Sequence, residues 1–119
     1  MLVVCVGLLY SLVPVLAHHA FDTEFDEKDR ITLKGTLTKM EWMNPHSWIF
    51  MDVKGPDGKL AKWAIETGAP AALVRRGLRL SDFRVGMEIT VDGYRAKKKV
   101  ATAAGRIVRL MDGTELFLR

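Results

Sequence analysis

Cysteine is almost absent from this chain of 119 residues, and the one that occurs, Cys5, lies in an apolar N-terminal run. The rest of the chain therefore has no disulfide, no thiolate nucleophile and no cysteine-based zinc site. Serine is also scarce: after residue 17 only Ser47 and Ser81 occur, and neither has a nucleophile-elbow sequence around it. These absences predict a protein that is not an enzyme.

The composition excludes a disordered chain, because 49% of the residues are hydrophobic and 27% are charged. The length fits one domain. The formal net charge of +4 is a mild excess that permits contact with an acidic partner or membrane surface without requiring one.

The N-terminal segment Met1–Ala17 carries no charged side chain. It is shorter than the roughly 20 apolar residues of a membrane-spanning helix and matches the apolar region of a signal peptide. Pro14 precedes a small-residue cleavage pattern formed by Val15 and Ala17. We predict a signal helix over residues 1–17 that is cleaved after Ala17, which directs the protein to the periplasm or out of the cell. The alternatives are a buried helix or an uncleaved anchor, and such an anchor would be the chain's contact with the membrane.

Residues 18–30 form a polar, acid-rich N-terminal arm, and the predicted domain covers residues 31–119. From Ile31 apolar residues alternate with polar ones, which predicts a strand. The apolar phase slips by one residue before Met40, which indicates a β-bulge. A second strand from about His46 to Val53 and a third over Leu60–Glu66 are separated by the turn sequence Pro56-Asp57-Gly58, which predicts a hairpin.

The second half predicts a short helix between Gly68 and Gly77 and then strands near 87–92 and 101–110. Residues 115–118 add a last short strand. This order predicts an all-β fold: a five-stranded, OB-like (oligonucleotide/oligosaccharide-binding) Greek-key barrel with one short helix between strands 3 and 4. Another small closed barrel would give a similar pattern.

Several runs of sequence carry a family resemblance: HHAF, ITLKGTLTKMEWMNPHSWIFMDV, WAIETGAPAALVRRG and VGMEITVDGYRAK. Together they are similar to a family of small exported proteins of Gram-negative bacteria, a domain of unknown function. The resemblance covers nearly all of the chain after residue 17. It implies a periplasmic or secreted protein and implies no reaction.

Three histidines form a candidate metal site: His18 and His19 at the predicted mature N-terminus, and His46. A terminal amine and imidazole nitrogens suit Cu(II), which also leads the divalent affinity order. The sequence favours a protein without a cofactor, and copper is the alternative that it suggests. The alternative is that His18 and His19 form only a polar, exposed chain end.

A second candidate site is the segment that joins the first two strands. Its aromatic and polar residues are typical of a ligand platform; they are Glu41, Trp42, Asn44, His46 and Trp48. The alternative places Trp42 and Trp48 in the core and makes Asn44-Pro45 a simple turn. Trp63 is predicted to be a core residue.

Basic residues recur at Arg75, Arg76, Arg79, Arg95 and 97–99. Nucleic acid is not an expected partner, because the protein is predicted to be exported, and a solvated surface is the plainest interpretation. The leading hypothesis is a non-enzymatic binding or interaction module for an unknown protein or small ligand of the periplasm. A copper-binding protein is the alternative, and a hydrolase that uses His46 and Glu41 as a general base is a third hypothesis.

Overall fold

Alternating apolar residues build the strands of this protein, and a computed structural model describes them over residues 21–119. The elements, in chain order, are β1 (Phe25–Glu41), β2 (Trp48–Lys54), β3 (Leu60–Glu66), α1 (Pro70–Arg75), a 3₁₀ turn (Leu80–Asp82), β4 (Glu88–Ala96), β5 (Thr102–Arg109) and β6 (Glu115–Phe117). The prediction of a mainly β fold with one short helix is confirmed. The predicted signal helix, residues 1–17, lies outside the described residues, as do His18 and His19.

Strand β1 begins at Phe25, six residues before the predicted start at Ile31. Phe25 pairs with Ala96 of β4 and is buried against Ala96 and Ala104. Tertiary packing therefore extends the strand into a stretch in which apolar and polar residues do not alternate. Residues 21–24 are helical. The predicted bulge is confirmed, because the pairing of β1 with β2 shifts register between Leu37 and Lys39.

Strands β2 and β3 form the predicted hairpin, with pairs that run from Trp48 and Glu66 to Lys54 and Leu60. The turn between them places Gly58 at a φ of 78°, a conformation that glycine adopts without steric cost. Helix α1 has Pro70 in its first turn and is followed by Gly77 at a φ of 89°. Both positions agree with the sequence prediction.

The six strands form one sheet in the order β3-β2-β1-β4-β5-β6. An additional parallel pairing joins β3 to β5 at residues such as Ile65 and Ala103, whereas the other pairings are antiparallel. Strands β1 to β5 are therefore hydrogen-bonded in a ring, and β6 extends the sheet beyond β5.

Inward-facing side chains of all five ring strands fill one core; they include Leu37, Ile49, Ile65, Val91 and Val108, each at most 1% exposed. Leu73 of α1 and Leu78 after it are also fully buried in this core. Trp63 belongs to it as predicted. Within residues 21–119 we find no helix that combines the length and the apolar character needed to cross a membrane.

The basic stretch near residue 97 divides between a strand and a turn. Arg95 belongs to β4, and Lys97–Lys99 form the turn before β5. The Lys97 amide donates to the Glu24 carbonyl at 2.9 Å, and the Lys97 ammonium contacts the Asp22 carbonyl. Lys99 pairs with Asp29 at 2.5 Å, and this hydrogen bond lowers the pKa of the Asp29 carboxyl. Lys97 therefore holds the chain that leads into β1, and Lys99 holds the first part of β1 itself.

Candidate functional site

Trp48 occupies the outer surface of the sheet, because alternate residues of β2 face the core and the others face outward. In the strand pairing, Glu41 of β1 lies on one side of Trp48 and Glu66 of β3 on the other. Directly opposed side chains in a sheet have their Cβ atoms about 4.5–5.5 Å apart. An indole flanked by two carboxylates therefore marks this end of the sheet.

Glu66 is the polar centre of the site, although only 7% of its surface is exposed. One carboxylate oxygen, Oε1, lies 2.7 Å from Nδ1 of His46 and 2.6 Å from Nη2 of Arg119. The Nε atom of Arg119 is buried without a hydrogen-bond partner among the described residues. A buried carboxylate is thus held between an imidazole and a guanidinium, both of which retain unused hydrogen-bonding capacity.

These three side chains border an open cleft of about 470 Å³. Its walls are largely apolar, and the lining residues are Phe21, Glu24, Phe25, Met43, Pro45, His46, Trp48, Glu66 and Arg119. The Phe21 and Phe25 rings are 5.4 Å apart between centroids, and the guanidinium carbon of Arg119 lies 5.2 Å from the Phe21 ring. An apolar cleft with a few convergent polar groups is the usual form of a small-ligand site.

Buried polar groups hold the segment that carries His46. The Ser47 amide donates to the Gly68 carbonyl at 3.0 Å, and the Ser47 carbonyl accepts from the amide and the hydroxyl of Thr67. Ser47 and Thr67 are both fully buried. These bonds tie the backbone directly after His46 to residues 67 and 68, which follow β3. His46 is therefore presented to the cleft on a rigid support.

The structure places the five predicted platform residues in different surroundings. His46 and Trp48 line the cleft, and Glu41 lies beside Trp48 across the strands. Trp42 is partly buried against the main core, and Asn44, next to the cis peptide bond to Pro45, is exposed.

Sequence reasoning did not assign Glu66, Arg119, Phe21 and Phe25 to this site. The partners of Glu66 are His46 and Arg119. A signal for Glu66 was present, since a glutamate in phase with the outward residues of a strand faces the same side as its cross-strand neighbour Trp48. Nothing in the sequence relates residues 21 and 119 to position 46.

The proposed pairing of His46 with Glu41 is not found. Glu41 is bonded to Lys39 at 2.6 Å, and His46 is bonded to Glu66. The Ser47 hydroxyl, which adjoins His46 in sequence, is buried and hydrogen-bonded with the Met43 backbone at 3.3 Å. The arrangement offers a histidine–carboxylate pair without an accessible serine beside it.

Residues 21–119 contain no cluster of three or more histidine, cysteine, aspartate or glutamate side chains arranged to hold a metal ion. Within this range His46 has one side chain of a metal-binding type beside it, the carboxylate of Glu66. The other two histidines of the predicted copper site precede it in sequence.

Comparison with known proteins places most of the chain in a family. No curated protein matches the sequence at a significant level. The sequence model of DUF6152, a family of unknown function, matches residues 6–105, which include the cleft residues from Phe21 to Glu66. This match confirms the resemblance to a domain of unknown function. With most of its length matched, the chain belongs to the DUF6152 family of unknown function.

Proposed function

We propose that this protein is a non-enzymatic binding module that captures a ligand in the cleft between Trp48, Glu66 and Arg119. It acts in the periplasm or outside the cell after export by the signal peptide of residues 1–17. The observation that carries the proposal is the buried carboxylate of Glu66, which is held by His46 and Arg119 on the floor of an aromatic cleft. A buried carboxylate is costly unless it is paired, so a nearly buried glutamate kept at the edge of a cleft, with its partners facing the same cleft, points to a binding site.

The topology supports an OB-like barrel as the scaffold for this module. The ring of five strands, the parallel β3–β5 pairing and the position of α1 after β3 agree with a five-stranded Greek-key barrel. OB-like barrels bind their ligands on the face of strands 2 and 3 and in the adjoining loops. Trp48 and Glu66 belong to β2 and β3, and His46 lies in the loop between β1 and β2.

A fragment screen tests the binding module without knowledge of its ligand. Isotope-labelled protein is titrated with small aromatic, carboxylate, amine and sugar fragments, and ¹H–¹⁵N NMR follows the amides and the Trp indoles. We expect shifts to cluster at Trp48, His46 and Arg119. Trp48→Ala should abolish them without unfolding the domain, whereas Phe117→Ala, which removes a 54% exposed ring from β6, should not. Fragment shifts spread evenly over the surface would contradict the proposal.

Copper binding is a second candidate function, favoured by the fact that His46 and Phe21 line the same cleft. His19 precedes Phe21 by two residues in the sequence. Nδ1 of His46 donates to Oε1 of Glu66 at 2.7 Å, which leaves Nε2 as the nitrogen available to a metal. Under this proposal His18, His19 and His46 bind Cu(II), with the mature terminal amine as a further nitrogen ligand.

Copper titration of protein that begins at His18 tests this candidate. We expect one equivalent of Cu(II) to bind tightly and to quench the fluorescence of Trp48. An additional N-terminal residue, or His46→Ala, should weaken the binding. Equal binding by all three proteins would exclude the site.

A further inference from the structure

The cleft opens onto a larger outward-facing surface, because every second residue of β2 and β3 faces away from the core. Trp48 pairs with Glu66, and two residues further along the strands Phe50 pairs with Ala64. Residues two apart on a strand are separated by about 6.6–6.8 Å. Trp48 and Phe50 therefore form a row of two half-buried aromatic side chains on one face.

A second groove, of about 500 Å³, continues from Phe50. Lys39 of β1 and Lys62 of β3 line it on the two sides of β2, and the Lys39 ammonium lies 5.7 Å from the centre of the Phe50 ring. The small side chain of Ala64 leaves space opposite Phe50. Trp48 lines the cleft and Phe50 lines the groove, so the outward row of β2 contributes one aromatic residue to each.

The carboxylates on this surface are at least as numerous as the cations. Lys39 is paired with Glu41, and Arg119 is paired with Glu66, each at 2.6 Å. Lys62 lies directly across the strands from Asp52. These pairs contribute three cations and three carboxylates, and Glu24 on the rim of the cleft adds one more negative charge. Although the whole chain carries a net charge of +4, this face has no excess of positive charge.

We infer that this outer face of β2 and β3 binds an uncharged oligosaccharide, with one sugar ring on Trp48 and another on Phe50. The inference rests on the proposed function and names its ligand class. A sugar ring presents an apolar C–H face, which packs on an aromatic side chain, and a rim of hydroxyls, which need donors and acceptors. Glu41 and Glu66 on either side of Trp48 supply acceptors, and Arg119 supplies donors.

Charge balance distinguishes this ligand from a nucleic acid. Single-stranded nucleic acid binds to grooves in which lysine and arginine are free to neutralise phosphates. Here Lys39 and Arg119 are committed to carboxylates, and a phosphate beside Trp48 would meet Glu41 and Glu66. A neutral ligand is not repelled by these carboxylates and uses them as hydrogen-bond acceptors.

The test uses the intact protein and titration calorimetry with linear neutral hexasaccharides of glucose and of N-acetylglucosamine, in both α- and β-linked series where these exist. A single-stranded oligothymidylate serves as the nucleic-acid probe. We expect at least one hexasaccharide to bind with an affinity that is insensitive to salt. Phe50→Ala should weaken it about tenfold, the order expected for loss of one aromatic contact, and Phe117→Ala should leave it unchanged.

The outcomes separate this inference from the proposed function. Hexasaccharide binding that depends on Phe50 supports both. If no hexasaccharide binds, or if oligothymidylate binds more tightly with a steep salt dependence, the sugar inference is overturned, and the fragment screen at Trp48 alone decides the proposed function. If Phe50→Ala and Phe117→Ala weaken sugar binding equally, the ligand is not on this face and the inference is also overturned.

Discussion

Glu66 combines two properties that rarely occur together, since it is 7% exposed and it borders an open cleft. Its charge is compensated by Arg119 and by the hydrogen bond with His46. A buried carboxylate of this kind fixes the orientation of both partners, which are the groups that a ligand would meet. At the scale of single residues, the stability of the domain and the shape of the cleft therefore depend on the same side chain.

Replacement of Glu66 by glutamine tests this dependence. Glu66→Gln keeps the shape but leaves the Arg119 guanidinium without its counter-charge, so we expect the free energy of unfolding to fall by about 1–3 kcal/mol. Denaturant titration measures the change. Glu88→Gln is the matched control, because Glu88 is 3.2 Å from Lys34 in an exposed pair and should change stability by at most about 0.5 kcal/mol. Equal effects of the two variants would show that Glu66 has no special structural role.

His46 and Trp48 could be selected from the sequence because histidine and tryptophan beside an Asn-Pro turn are unusual in a plain connection. Arg119 and Phe21 could not be selected, since they reach the cleft only through the pairing of distant strands. The contacts of Glu66 likewise depend on register, and register is fixed by the packing of the whole sheet. The sequence therefore predicted the site residues that are neighbours along the chain, His46 and Trp48. It did not predict the residues that pack against them from distant parts of the chain.

At the scale of strands and turns, local patterns were sufficient for most boundaries. The limits of β3 and the bulge in β1 follow from the alternation of apolar residues and from its slip. The early start of β1 does not, because Phe25 is paired through its contact with Ala96 of β4, which is far along the chain. The parallel β3–β5 pairing is likewise a long-range contact without a local signal.

Arg109 joins three strands through one side chain. It contacts Asp92 of β4 and lies 2.6 Å from Glu115 of β6, while Thr32 of β1 donates to Asp92 at 2.7 Å. Partial burial alone would raise the pKa of Asp92, but the hydrogen bonds from Thr32 and Arg109, with the nearby charge of Arg106, outweigh it and lower the pKa. The hydrogen bonds of Arg109 with Asp92 and Glu115 raise the pKa of its guanidinium.

The lowered pKa of Asp92 predicts how stability changes in acid. A carboxyl whose pKa is lower in the folded state stabilises the fold above its unfolded pKa of about 3.9, and that contribution is lost as the pH falls through the folded pKa. We expect Asp92→Asn to be less stable than the native protein near neutral pH. The difference in free energy of unfolding between Asp92→Asn and the native protein should become smaller below about pH 4.

Denaturant titrations across this pH range measure the effect. Thr32→Val is the control, because it removes one hydrogen bond and keeps the ion pair with Arg109. Part of the acid dependence should therefore remain in Thr32→Val. A constant difference between Asp92→Asn and the native protein at all pH values would contradict the assignment.

At the scale of the whole molecule, one core serves all five strands of the ring. Ile65 is fully buried, pairs with Ile49 on one side and meets Ala103 of β5 on the other. Ile65 therefore lies where the parallel pairing of β3 with β5 closes the ring of five strands. Loss of packing at Ile65 should therefore weaken the contacts of β3 with β2 and with β5 together.

Ile65→Ala should lower the free energy of unfolding by roughly 2–5 kcal/mol, because it leaves a cavity in a closely packed core. Unfolding should remain a single transition, since the strands share that core. Calorimetry and near-ultraviolet circular dichroism follow the unfolding. Leu60→Ala, at a side chain that is 67% exposed on the same strand, should change stability by less than about 0.5 kcal/mol. Two separate transitions in Ile65→Ala would show that the ring does not unfold as one unit.

The contact between Phe21 and Arg119 has a practical consequence for handling this protein. Because these residues meet over the cleft at 5.2 Å, an affinity tag or fluorophore attached near either one would crowd the mouth of the binding site. The turn around Gly58, between β2 and β3, lies at the far end of that hairpin from the pair of Trp48 and Glu66. An attachment point at Asp57 or Lys59 would immobilise the molecule with its cleft accessible to whatever flows past it.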